Sequence, residues 1–139
     1  MKYARLFAIA LTFMPLLAAA QFNGRSQIVA HVPFEFRAGN KLIPAGECIV
    51  ESLLPNGSTL VVRNLHARIS LLSSAAPKRL ARPSDHFALV FHKYGDRYFL
   101  SGVKVEGIRY MYSLPESGAE AELRARAVPA SEQILLAAQ

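Results

Sequence analysis

Apolar residues are arranged in this chain in two ways. Near the start they form one uncharged run over residues 6–17. From residue 28 onward they come in short β-branched and aromatic stretches, each cut off after a few positions by Gly, Pro, Asn or Asp. Short runs with regular punctuation predict strands and an all-β core. Residues 28–36 read as a strand pair, or as one strand bent at Pro33, which lacks a ladder donor and belongs at an edge or bend. Gly39-Asn40 and Pro44-Ala45-Gly46 read as turns, the latter with Pro and Gly where a type I turn prefers them. Residues 47–54 and 58–64 read as strands joined by a type I′ turn at Asn56-Gly57. A further strand is expected over residues 67–72, and residues 73–85 read as an exposed loop crossing from one sheet region to another.

The clearest hairpin follows. Residues 87–94 and 97–105 flank Gly95-Asp96, where Gly in the first central position suits a type II′ turn. A two-residue loop pairs Tyr94 with Arg97, Phe91 with Leu100 and Leu89 with Gly102. One face then carries Phe87, Leu89, Phe91 and Leu100, and the other Ala88, Val90, Phe99, Val103 and Val105, with His86 and His92 near its ends. Apolar residues on both faces predict a strand pair covered on both sides. Residues 109–114 make another short strand. Ser117-Gly118-Ala119-Glu120 fits a capping box, starting a helix that runs to about Ala127 before Pro129. Glu120 with Arg124, and Glu122 with Arg126, have the spacing of i,i+4 ion pairs. Residues 134–137 are expected to return as a last strand.

These elements predict a single antiparallel β-sandwich or partly closed barrel of about seven strands, with one short C-terminal helix. The early apolar run changes the picture by adding an address. Lys2 and Arg5 precede it and Ala18-Ala19-Ala20 follow it, the layout of a secretory signal peptide over residues 1–20. The run is shorter than the ~20 residues that span a bilayer, so no membrane span is expected after cleavage. Residues 21–139 then form one β-rich domain, exported to the periplasm or the extracellular medium.

Charge and cysteine content add limits. The 16 Lys and Arg outnumber 10 Asp and Glu, for a net +6, but the leader takes two of the cations and the rest are dispersed. Without a basic stripe, nucleic acid is not an expected partner. Cys48 is the single cysteine, which excludes an intramolecular disulfide. The core must hold this exported domain together.

Three segments carry a resemblance: Val32-Pro33-Phe34-Glu35-Phe36, Ile43-Pro44-Ala45-Gly46-Glu47, and Phe91-His92-Lys93-Tyr94-Gly95-Asp96-Arg97-Tyr98-Phe99-Leu100. Together they resemble a group of small exported bacterial β-rich proteins of unassigned function, in which they read roughly V-P-F-x-F, L-P-A-G-x-Y and F-x-x-Y-G-x-x-Y-F-L. The resemblance covers most of the chain after the leader. It implies a β-rich fold outside the cytoplasm and brings no catalytic residues. Cys48 departs from the pattern, standing where an aromatic residue is more usual.

Candidate chemistry is sparse. His31, His66, His86 and His92 have no metal-ligand spacing, and two histidines six positions apart on a strand lie roughly 20 Å apart, so no metal or other cofactor is expected. Glu47 and Glu51 flank Cys48, the opposite of what activates a thiol, and a buried structural Cys is expected. No nucleophile elbow or phosphate loop occurs. Asn56-Gly57-Ser58 matches a glycosylation acceptor and reads as a turn. Tyr94, Tyr98, Tyr110 and Tyr112 fall on or beside neighbouring strands, where rings can stack on sugars or cover an apolar ligand; cross-strand packing explains them too. Lys78, Arg79 and Arg82 form the one local basic cluster, suited to phosphate or acidic glycans or to plain solvation.

The expectation is therefore a non-catalytic binding or structural module of the cell envelope or secreted fraction. Its expected partner is an envelope glycan, a small apolar ligand or another envelope protein. A sugar or small-ligand binder using the tyrosines is one alternative. A small hydrolase whose residues meet only in space is another. Intact-mass measurement of exported protein is expected to show loss of residues 1–20; a mature species beginning at Met1 would refute the export reading.

Overall fold

The computed structural model describes residues 27–136, so the predicted leader and Ala137 lie outside the described residues. The chain runs β1 (Gln27–Val32), β2 (Phe36–Ala38), β3 (Lys41–Ile43), β4 (Gly46–Ser52), β5 (Thr59–Asn64) and β6 (Ile69–Ser74). It continues with β7 (Ala76–Arg79), β8 (Ala88–Tyr94), β9 (Arg97–Lys104), β10 (Tyr110–Ser113), α1 (Gly118–Ala125) and β11 (Ala130–Leu136). Two sheets result. One has the order β1-β4-β5-β6; the other has the order β11-β8-β9-β10-β7, with the β2–β3 hairpin added alongside β9. They pack as an open sandwich with no closed barrel, and the fold is all-β with one short helix. The strands number eleven among the described residues, against about seven expected, because β2 and β3, at three residues each, are too short to show a hydrophobic period and β7 buries no side chain.

The chain changes sheet at two marked places. Pro33 follows β1, and without an N–H it cannot extend the β1–β4 ladder; the chain leaves that sheet and enters the other at Phe36. Ala75 makes the second crossing, its amide donating to the Ser58 carbonyl between β6 and β7. The expected loop over residues 73–85 therefore contains a strand: β7 pairs antiparallel with β10. All four of its side chains are exposed, so no apolar alternation reported it.

Other local expectations are corrected by side-chain chemistry. The β4–β5 connection is longer than a two-residue type I′ turn. The Gly57 amide donates to Leu54 at 3.0 Å, and of Asn56 and Gly57 only the glycine has positive φ. Pro55 and Gly57 then occupy the second and fourth positions of a type I-like turn. The strand expected over residues 67–72 starts later, at Ile69, because buried Asn64 captures the amides of His66 and Ala67 at 3.1 Å each and holds them in a turn. Ser117 does cap α1, accepting from the Glu120 amide at 3.2 Å. The Glu120 carboxylate, however, turns away from the helix, and Arg124 pairs with Glu116 at 2.9 Å. The predicted Glu120–Arg124 pair is thus not formed.

Between the sheets lies the main core, to which β8 and β9 contribute Leu89, Phe91, Leu100 and Val103. Tyr94 pairs with Arg97 and Phe91 with Leu100, as the Gly95-Asp96 turn predicts; Gly95 takes the positive φ of +62°. Beyond Phe91 the register shifts by one, so that Leu89 faces Val103 and not Gly102. The extra residue, Ser101, is a β-bulge, and it turns Val103 from its predicted outer face into the core. The outer face still buries Ala88, Val90, Tyr94 and Phe99, so the hairpin is covered on both sides.

Phe91 is completely buried, with Phe34 and Phe36 at 5.0 and 5.1 Å in edge-to-face contact. Phe91→Ala is expected to destabilise the fold by roughly 3–5 kcal/mol. Chemical denaturation checks this, and an unchanged midpoint would contradict the pairing. Cys48 is fully buried in β4 between Ala30 and Asn64, and burial pushes its thiol pKa up to about 11. The unfolded thiol ionises near 9.0, so from pH about 9 to about 11 the unfolded state loses a proton that the folded state keeps. Stability at Cys48 is therefore fully present below pH 9.0 and falls as pH rises through that window. The denaturation midpoint of Cys48→Val should fall less steeply over this range than that of the parent; equal slopes would refute the assignment.

Candidate functional site

Beside β9 the second sheet is divided. Antiparallel β10 pairs with Gly102, Val103 and Lys104, and parallel β2 pairs with Tyr98 and Phe99. Where β2 meets the Gly95-Asp96 end of the hairpin, a groove of about 310 Å³ opens. Its lining comes from two chain segments far apart in sequence, residues 34–37 and 96–99, with Leu42 of β3 at the side. The volume lies at the small end of the ~300–1,000 Å³ typical of ligand sites.

The floor is aromatic. The Phe34 and Tyr98 rings stack with centroids 3.7 Å apart and 13° between planes, while the Lys93 ammonium sits 5.4 Å from the Tyr98 centroid. Phe34 reaches this position because Pro33 has just taken the chain off the first sheet. Its ring is braced edge-on by Phe91 in the core, so the floor is fixed by the same residue that holds the hairpin. The rim is charged. Arg37 lies opposite Phe99 in the β2–β9 register, and the Arg97 guanidinium is 5.7 Å from the Phe99 ring centroid. Glu35 and Asp96 are exposed on the remaining sides. Among the described residues, no ion pair engages Glu35, Arg37, Asp96 or Arg97. Their hydrogen-bonding groups are thus available where the groove passes Phe99.

The four tyrosines do not form one surface. Tyr98 alone of them lines the groove. Tyr94 is buried on the outer sheet face, packed edge-to-face on Phe99 with centroids 5.6 Å apart. Its hydroxyl donates to Glu120 at 3.0 Å, and burial, then that hydrogen bond, then the carboxylate's charge raise its pKa. Tyr112 lies against the backbone of Gly57, so close that a Cβ there would overlap its ring. It packs, partly buried, against the core between the sheets. Tyr110 is exposed opposite Arg79. The basic residues Lys78 and Arg79 lie on β7 and Arg82 just beyond it, all exposed.

One further cluster of titratable groups is built around Glu120. Its buried carboxylate receives Tyr94 Oη and lies 2.6 Å from His92 Nδ1. These contacts dock α1 onto the outer face of β8. They account for His92, which the sequence left as an ordinary strand-end histidine, and they satisfy groups that would be costly to bury alone. His31, His66 and His86 are exposed and separate from it, and among the described residues no three His, Cys, Asp or Glu are placed to hold a metal ion.

Phe34, Arg37 and Arg97 were not among the residues singled out from sequence. The signal that could have found them is the pairing of motifs: the segment Val32 to Phe36 and the segment Phe91 to Leu100 meet at this groove. No family model, curated protein or solved structure matches this chain.

Proposed function

We propose that this is an exported, non-catalytic binding module of the cell envelope or secreted fraction, and that the groove between β2 and β9 holds its ligand. The observation that carries this reading is a groove lined both by the braced Phe34–Tyr98 stack on one face of β9 and, on the other, by Arg37 and Arg97 beside Phe99, without ion-pair partners among the described residues. A groove that offers aromatic rings and, next to them, free hydrogen-bonding groups suits a small molecule that has an apolar face and polar substituents. A sugar unit has that form: its C–H face rests on rings, and its hydroxyls bond to guanidinium and carboxylate groups. The groove admits one end or one short piece of a glycan. The first two rings of the floor belong to the protein's own packing, so the ligand gains affinity chiefly at the rim and the exposed ring edges.

Titration calorimetry of the exported protein against uncharged oligosaccharides tests this. Arg37→Ala and Arg97→Ala are expected to weaken binding about tenfold or more each while changing thermal stability little, because Arg97 is exposed, Arg37 is half-buried, and neither is in an ion pair among the described residues. Binding should persist at raised salt, since hydrogen bonds and ring contact carry it. Binding that survives both substitutions would place the ligand elsewhere.

A further inference from the structure

The exposed strand β7 and its neighbours assemble more positive charge than the local sequence shows. Lys78, Met111 and Lys104 lie in one row across β7, β10 and β9. The Leu80 amide donates to the Arg109 carbonyl at 2.8 Å, which brings Arg109 alongside the same strand. Arg79 stands opposite exposed Tyr110, and Arg82 follows in the segment after β7. Five cations thus gather at one end of the second sheet. None of them is in an ion pair among the described residues. Asp85 and Glu106 lie at the margin, near the Ser84–Glu106 bridge, and leave the balance positive.

Two features say what this edge can hold. Side chains alternate along a strand, so Lys78 and Lys104 project to one sheet face and Arg79 with Tyr110 to the other. A planar bilayer could meet one set and not both. A flexible linear polyanion can fold around the edge and meet both. Ladder alternation from the Leu80–Arg109 bond also turns Pro77 and Arg79 outward. Pro77 has no N–H to offer, so the outer edge is a poor template for another protein strand. The exposed Tyr110 ring beside Arg79 gives a sugar face something to rest on.

We infer that the β7 edge is a second binding site, for a carboxylated polysaccharide, formed by Lys78, Arg79, Arg82, Lys104 and Arg109 with Tyr110. It is separate from the groove: Arg97 and Lys104 are at opposite ends of β9, roughly 20 Å apart. The site holds charge by long-range attraction and the groove holds a sugar by contact, so the inference does not rest on the groove reading.

Polygalacturonate binding by the exported protein, measured across a salt series beside dextran and anionic phospholipid vesicles, tests it. Polygalacturonate should bind, with affinity falling steeply as salt rises, while dextran should not respond to changes at this edge. Neutralising Lys78, Arg79 and Arg82 to Gln should weaken polygalacturonate about tenfold, and Lys104→Gln with Arg109→Gln should weaken it further. Thermal midpoints should stay close to the parent's, as expected for surface changes. Tyr98→Ala should leave this binding intact. Polygalacturonate affinity that survives all five neutralisations would overturn the inference, and so would binding to the vesicles with none to polygalacturonate.

Discussion

The structure depends on burying both faces of the β8–β9 hairpin. Its inner face supplies Leu89, Phe91, Leu100 and Val103 to the core between the sheets, and its outer face buries Val90, Tyr94 and Phe99 on the side where α1 docks. Each large side chain so buried contributes on the order of 1.5–3 kcal/mol, and a domain with one cysteine has no disulfide to supplement that. Two-sided burial also demands that register be kept. A slip of one residue would exchange the faces, and the only tolerated departure is the bulge at Ser101, which places Val103 inward.

The functional surfaces follow from how the rest of the chain joins this hairpin. The β9 strand is too long for β10 alone, and its free first half is taken by β2 after the crossing at Pro33. That junction of a parallel strand with a hairpin end leaves the groove, and Phe91 braces the Phe34 ring from within. At the other end, β10 recruits β7, which carries its cations out to the sheet edge. On the outer face, a single buried carboxylate does the work of attaching α1. Glu120 was available as a capping-box partner and instead joins His92 and Tyr94, where its buried carboxylate gains two partners on the sheet in place of one amide.

What could be read from sequence was what is local. The Gly95-Asp96 turn, the Ser117 cap, the bend at Pro33 and the buried Cys48 each declare themselves within a few residues. The exposed strand β7 did not, because a strand with no buried side chain shows no alternation, and its pairing with β10 is long-range. The bulge was equally hidden: Ser101-Gly102 continues the pattern of a regular strand until its partner is known. Of the candidate tyrosines, parity along each strand could not tell a ring capping a carboxylate, as in Tyr94, from one lining a groove, as in Tyr98. The groove itself joins residues 34–37 to residues 96–99, and nothing in either segment alone announces the other.

Native-state hydrogen exchange tests the central place of the hairpin most directly. If two-sided burial holds the fold together, amides of β8 and β9 exchange only through global unfolding, with the free energy found by denaturant titration, while those of the edge strand β7 open at much lower cost. Amides of β8 and β9 that exchange by local opening, ahead of those in β4 and β5, would contradict the account.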